Sequence, residues 1–299
     1  MKNGIVILNY LNSNVTKSSV ERLMNQKDIA KFEVVIVDNG SPEAVLEDLK
    51  DFLKSDVNFS GIHLIRAHEN LGFAKGHNIG IRFLRKLNVE NILLMNSDIS
   101  FVENEGLSLL FSNIKSSDAA IIGPNIYGKG NKPANPVFIN VTFKGTVLRS
   151  VSNRLSVIRN SSLFRLQKEN VSEGAIGSRE TKSINSNERM FFLHGSAFIL
   201  TKKYFDTYFS LYPGTFLYYE SQILQILVKK ANLKLQYCAD VHMTHIEDQS
   251  SELSYGNKPN VKASMVAQSQ MKALGLFTKT VSKINRGMIN GQQSFEVEE

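Results

Sequence analysis

VVIVDNGS, Val34 to Ser41, is the stretch that decides the fold. Four β-branched residues in a row suit a short strand covered on both faces, since neither side of the run is polar. Asp38-Asn39-Gly40 then ends the run as a turn, Ser41 is placed as a helix N-cap, and Pro42 suits the first helical position. The helix that follows is expected to reach about Lys54, with Val45, Leu49 and Phe52 on one face. Working outward, strand-like runs recur at Ile5–Leu8, Ile62–Ile65, Ile92–Met95 and Ala119–Ile122. A further helix is expected over Phe73–Leu87, with Ile79, Phe83 and Leu87 four apart. This β-α-β alternation predicts an α/β fold: a doubly wound, mainly parallel sheet with helices on both faces. In such sheets ligands bind beyond the carboxyl ends of the strands.

The bulk numbers bound the remaining choices. The chain has 299 residues, 42% apolar and 21% charged, enough for one long globular domain. A single cysteine, Cys238, excludes an internal disulfide framework and fits a reducing compartment. MKNGIVILNY has no signal-peptide pattern, and no apolar run approaches the ~20 residues of a membrane span. A cytoplasmic enzyme is the expectation. The net charge of +7 suits anionic ligands. Without zinc-finger spacing, an RNP-type motif or any tryptophan, no nucleic-acid partner is expected.

The middle of the chain, residues 127–189, reads as an irregular basic insertion. Residues 141–190 hold nine Lys/Arg against four acids, a net of five positive charges. Within it Leu148, Val151, Leu155 and Ile158 form one apolar helical stripe between arginines. The first reading is an amphipathic helix packed on the main domain. The second is an interfacial helix at anionic lipid headgroups. From Met190, FFLHGSAFIL reads as a buried strand and Tyr218–Lys230 as a helix. Leu233–Tyr237 reads as a short strand followed by a His-containing loop. Residues 256–299 read as a polar, lightly patterned tail ending in FEVEE.

Several residues invite chemistry at the sheet's carboxyl edge. Asp38 can accept hydrogen bonds from a base or ribose, or simply close an Asx turn. Asp98, in LLMNSDI, follows the fourth strand and would face the same crevice. A diphosphate there needs a divalent cation, and Mg²⁺ or Mn²⁺ prefers carboxylate and phosphate oxygens. Gly72, Gly76 and Gly80 recur every four residues, which permits close backbone approach to the sheet or to a ligand. Glu220, in FLYYESQIL, can take a proton from an attacking hydroxyl. His245, in VHMTHIEDQSS, can add a metal ligand. The glycine-rich dinucleotide fingerprint and a Walker loop are both absent after the first strand, which counts against a dehydrogenase and an NTPase.

The ordered set IVILNY, VVIVDNGS, NLGFAKGHNIGI, LLMNSDI, FLHGSAFIL, FLYYE and HIEDQSS resembles glycosyltransferase family 2 over about Gly4–Ser251. The likeness is greatest to the bacterial rhamnosyltransferase-like and capsule or O-antigen branch. The resemblance implies a GT-A fold over 1–255, divided into a nucleotide-sugar-binding half (1–125), the basic insertion (127–189) and an acceptor and catalytic half (190–255). It also implies a nucleotide-diphospho-sugar donor, a glycan or lipid-linked glycan acceptor, and inversion at the anomeric carbon. In that reading Asn9, Tyr10 and Asp38 line the nucleoside pocket. Gly72, Phe73 and Asn78 border the donor, and Gly195 lies on the acceptor side. Asp98 binds the metal and diphosphate, and His245 completes the metal site. The family's base is usually the acid at the position of Ser221, so Glu220, the acid that remains, is expected as the base on chemical grounds. If the basic helix is interfacial, the enzyme works at the inner face of an anionic membrane.

The sequence departs from the family at two points. Ser221 stands where the family usually carries a second acid, and QILQILVKK lacks the arginine usually found nearby. These departures sustain a rival reading, a catalytically silent relative that binds nucleotide sugar or a partner enzyme. A sugar-phosphate nucleotidyltransferase would want a basic, glycine-rich loop that NYLNSNVTK does not supply.

Overall fold

The computed structural model describes residues 2–55, 57, 60–128, 130–138, 140–160, 191–245 and 259–298, with side chains described to residue 155 in the helix that ends at 160. Strands β1 (Asn3–Asn9), β2 (Phe32–Asn39), β3 (Ile62–Ala67) and β4 (Asn91–Asn96) realise the runs read from the sequence. They pair in parallel in the order β3-β2-β1-β4. The chain therefore winds outward to one side of β1 and then crosses to the other. The reversal between β1 and β4 is a topological switch point, where a crevice opens at the carboxyl edge.

Beyond β4 the sheet becomes mixed. Strands β5 (Ile99–Phe101), β6 (Ile121–Gly128), β7 (Lys132–Pro133), β8 (Ala197–Leu200), β9 (Leu235–His245) and β10 (Glu296–Glu298) complete it. The path is β10-β3-β2-β1-β4-β8-β6-β9-β5, with β7 on β6. β8 runs antiparallel to both β4 and β6, and β9 parallel to β6.

Strand alternation explains why the runs are apolar throughout. Val6, Val35 and Val37 point to one face, where they meet α3 (Gly72–Lys86) and α7 (Glu220–Lys230). Ile5, Ile7, Val34 and Ile36 point to the other, against α1 (Ser13–Met24), α2 (Glu43–Ser55) and α4 (Gly106–Ser116). Each such buried side chain contributes about 1.5–3 kcal/mol. Two of the helical glycines serve this packing. A methyl group on Gly80 would lie 2.5 Å from Val6 Cγ1, and one on Gly76 2.7 Å from Leu8 Cδ1. α3 thus lies close on β1.

The structure corrects four sequence expectations. FFLHGSAFIL is a strand only over Ala197–Leu200; Phe192 makes a lone bridge with Val137 and the residues between turn. His245 is not in a loop but ends β9, which runs eleven residues because β5 and β6 flank it. The basic insertion contains a regular helix, α5 (Phe143–Asn160); its 161–189 part and the Ile158 side chain lie outside the described residues. Within α5, Leu148, Val151 and Leu155 face outward, so the stripe does not pack on the domain.

The fourth correction concerns the tail. Between α5 and α7 stands the short α6 (Lys202–Phe205), and after β9 come α8 (Pro259–Thr278) and α9 (Val281–Asn290). Ala273, Leu276, Ile284 and Met288 join the main core, and β10 adds an antiparallel edge to β3. The supposed tail is folded onto the sheet.

Candidate functional site

Three groups of residues gather at the carboxyl edge of the sheet. The first lies across β1 and β2, where Asn9 is paired in register with Asp38. Asn9 Nδ2 donates to Asp38 Oδ1 at 2.7 Å, and Thr16 Oγ1 donates to Asn9 Oδ1 at 2.6 Å. Ser41 N donates to Asp38 Oδ2 at 3.1 Å. Burial pushes the Asp38 carboxyl up, and the Ser41 and Asn9 hydrogen bonds oppose the shift. Asp38 is thus fully buried and closes the turn at the end of β2. Tyr10, half-buried, continues from it.

The second group is the turn into α3. Asn39 Oδ1 accepts from Leu71 N at 3.1 Å, and Asn70 Oδ1 accepts from Gly72 N at 2.9 Å. Gly72 adopts φ +76°, and any side chain there would collide with the Phe216 carbonyl. Phe73 N donates to that same carbonyl at 2.9 Å, which ties the turn to the segment leading to Glu220. Asn78 is fixed to a distant backbone segment. Its amide makes a reciprocal pair with the Leu211 backbone, donating at 2.9 Å and accepting at 2.8 Å. Phe73 packs edge-on against His77, which is fully buried. Burial drives the His77 imidazole down to about 3, so it is neutral; Asn96 is its polar neighbour, and neither ring nitrogen makes a well-formed hydrogen bond.

The third group gathers the ends of β4 and β9 and the turn before β8, on the far side of β1 from Asp38. His245 Nε2 lies 3.1 Å from Asp98 Oδ1, and both side chains are under a tenth exposed. The His245 Nδ1 atom is sealed and makes no hydrogen bond. The His194 ring stands 5.5 Å from the His245 ring, and His194 Nδ1 is 2.8 Å from Ser196 Oγ. Burial lowers His194 to about 4, with His245 adding to the effect and Asp98 opposing it. Asn96 N donates to Ser196 O at 2.9 Å, which joins the NSD turn to the HGS turn.

Among the described residues no three His, Cys, Asp or Glu side chains form a complete metal cage. The donor set nevertheless fits a hard divalent cation. One carboxylate and one imidazole leave positions for diphosphate oxygens and water, the carboxylate being the donor that suits Mg²⁺ or Mn²⁺.

Glu220 opens α7 beside this cluster. A methyl group on Gly195 would lie 3.3 Å from Ser221 Oγ, so the HGS turn abuts the helix start. Tyr218 and Tyr219 both have left-handed backbones, φ +67° and +73°. Non-glycine residues held so cost about 1–3 kcal/mol each, a strain commonly found at active sites. Glu220 as a whole is half-buried, but its Oε1 is sealed and makes no hydrogen bond. Desolvation raises its carboxyl to about 8.

The structure therefore brings Asp98, His245, Gly195 and Glu220 towards one another, and sets Asn9, Tyr10 and Asp38 along the same edge. Sequence reasoning passed over His194, although it adjoins Gly195 in the quoted HGS string. It also passed over Asn39, whose place after Asp38 at the strand end was signal enough, and the Tyr218–Tyr219 strain, which leaves no sequence signal. Glu247 and Asp248, in HIEDQSS, lie outside the described residues.

Comparison with known proteins agrees with this architecture. The family description Glycosyl transferase family 2 matches residues 4–209, which include Asp38 and Asp98 but stop before Glu220 and His245. The low-salt glycan biosynthesis hexosyltransferase Agl10 of Haloferax volcanii is 24% identical over 285 residues, covering 94% of this chain and 78% of the relative. The dTDP-rhamnosyl transferase RfbF of Shigella flexneri is 34% identical over 91 residues, 30% of this chain and 28% of the relative. Among solved structures, GalNAc-T7 with UDP, GalNAc and Mn²⁺ superimposes with a TM-score of 0.58 at 13% identity. That likeness, which concerns the fold, covers 97% of this chain and 55% of the longer one. With the match spanning most of its length and the strand order reversing between β1 and β4, the chain belongs to glycosyltransferase family 2 and is a GT-A glycosyltransferase that uses a nucleotide sugar.

Proposed function

We infer that this enzyme transfers a hexosyl or deoxyhexosyl unit from a nucleotide-diphospho-sugar to a hydroxyl of a glycan or lipid-linked glycan, inverting the anomeric carbon. Its setting is the synthesis of cell-surface polysaccharide, on the cytoplasmic side of an anionic membrane. The observation that carries the reading is the Asp98–His245 pair at the carboxyl edge of the sheet, with Glu220 nearby, directly after the strained Tyr218–Tyr219 backbone. Asn9, Tyr10 and Asp38 shape the nucleoside end, and Gly72 and Phe73 close the side of the crevice beside them. Asp98 and His245 would hold Mn²⁺ or Mg²⁺, which supplies charge neutralisation to the departing diphosphate.

Glu220 takes the acceptor hydroxyl's proton as the new oxygen–carbon bond forms. The bond from the anomeric carbon to the phosphate oxygen breaks, and the nucleoside diphosphate leaves with the electron pair. A carboxylate raised to about 8 is a stronger base than an ordinary one. Ser221 in place of a second acid favours the alternative, a silent relative that binds donor without transfer.

A thermal-shift screen of UDP-, dTDP- and GDP-sugars with Mn²⁺ tests the reading, since a bound donor stabilises the fold by mass action. One donor class should raise Tm only when the cation is present. Transfer or slow hydrolysis of that donor establishes the enzyme; tight binding without either establishes the silent relative.

A further inference from the structure

Helix α5 is turned inside out relative to an ordinary surface helix. Its buried side is polar: Thr146 and Ser150 are sealed, and Asn153 Nδ2 donates to Gln270 Oε1 of α8 at 3.2 Å. Its outward side is apolar, with Leu148, Val151 and Leu155 exposed to 71%, 51% and 53%. These three stand at i, i+3 and i+7, one continuous stripe. Cations border it at Lys144, Arg149 and Arg154, and neither α5 nor α8 contains a single acid. Among the described residues no helix is long and apolar enough to cross a membrane, so this face can lie on one but not pass through.

We propose that the outward face of α5 docks this glycosyltransferase onto an anionic lipid surface. An apolar stripe edged by lysine and arginine on a convex helix matches an interfacial helix, which sinks aliphatic side chains among acyl chains and pairs its cations with headgroups. A second copy of the chain fits poorly, because a two-fold interface would press one cationic helix against another. Recognition of an acidic peptide calls for a groove, and this face is the crest of a helix.

The location gives docking a purpose. On the opposite side of α5, the hydroxyls of Thr146 and Tyr219 share a buried hydrogen bond of 3.0 Å. Tyr219 is the residue before Glu220. The docked face therefore lies one helix thickness, about 10 Å, beyond the Tyr219 hydroxyl, and the Tyr219 side chain leads from there to the backbone that carries the proposed base. A lipid-linked acceptor anchored in that surface would present its sugar within reach of the crevice. This purpose rests on the transferase reading given above; the docking itself does not.

The test is co-sedimentation of the full chain with vesicles of phosphatidylcholine alone or with about 30% phosphatidylglycerol, in low salt and in about 0.5 M NaCl. Binding should be several-fold higher on the anionic vesicles and should be released by salt. The triple variant Leu148→Ser/Val151→Ser/Leu155→Ser should lose about fivefold or more of that binding with Tm unchanged, because all three side chains are exposed. Arg149→Gln/Arg154→Gln should weaken it as well. Equal pelleting with both vesicle types, pelleting with neither, or undiminished pelleting of the triple variant overturns the proposal. A concentration-dependent dimer lost in the triple variant would assign the face to a second copy and overturn it too. Cation-dependent donor binding, measured on the same triple variant, should be unchanged, so failure of docking is told apart from failure of the transferase reading.

Discussion

His245 Nε2 rests 3.1 Å from Asp98 Oδ1 although 147 residues separate them in sequence. Antiparallel pairing of β9 with β5 brings this about, since His245 is registered opposite Ile99, the residue after Asp98. A carboxylate and an imidazole so placed can share one divalent cation. Asp98→Ala should therefore weaken Mn²⁺-dependent donor binding by at least about tenfold in a protein that still folds, with Tm somewhat lowered by the lost buried pair. Titration calorimetry of the donor, with Mn²⁺ and with EDTA, checks this. Unchanged affinity in the variant would take Asp98 out of the site.

Glu220 gives a prediction about turnover. With its carboxyl at about 8, the substrate-free enzyme holds this group protonated at neutral pH, and the base form grows as pH rises. The kcat/KM for the acceptor should climb through that range and level off above it. Glu220→Gln, nearly isosteric and without basicity, should lower turnover at least about a hundredfold and abolish the climb, with donor affinity retained. A variant that keeps both rate and pH limb would move the base elsewhere, Glu247 and Asp248 being next to try.

The parallel half of the fold was readable because each central strand is apolar on both faces and stops at a polar residue. That is why Asp38 and Asp98 could be named as edge residues from sequence. The helical end was not readable. α8 buries Ala267, Ser269, Gln270, Ala273 and Leu276, a mixture without strong apolar period, because its partner surface on α5 is itself polar. A polar helix–helix contact leaves no hydrophobic pattern to find, and the same inversion made the α5 stripe look like a packing face. His245 was misplaced in a loop because the shift between Pro124 and Asn125 lets β9 continue past the end of its apolar run.

Two helical glycines should respond oppositely to alanine. At Gly80 the added methyl group meets Val6 at 2.5 Å, so Gly80→Ala forces α3 off the sheet and should destabilise by about 1–3 kcal/mol. At Gly287, exposed in α9, a methyl group meets nothing within 4 Å. There Gly287→Ala should stabilise by about 0.5–1 kcal/mol through helix propensity alone. Chemical denaturation of both variants at one pH measures the two changes. A stabilised Gly80→Ala would contradict the close approach of α3 to β1.

The same glutamate should leave a mark on stability. In the unfolded chain Glu220 titrates as an ordinary carboxylate near 4.5; in the folded protein burial raises it to about 8. Between those values the folded state holds a proton that the unfolded state has released. Glu220 thus contributes stability that is fully present below about pH 4.5 and is lost progressively as pH rises through about 8. Glutamine at this position cannot ionise, so Glu220→Gln escapes that loss. Every other titrating group is common to the two proteins and cancels in their difference. The Tm of the variant minus that of the wild type should grow from pH 5 to about pH 8 and then hold constant. Parallel Tm curves across that range would mean that Glu220 is ionised and hydrated in the folded protein. The sealed, unpaired Oε1 argues for the widening gap.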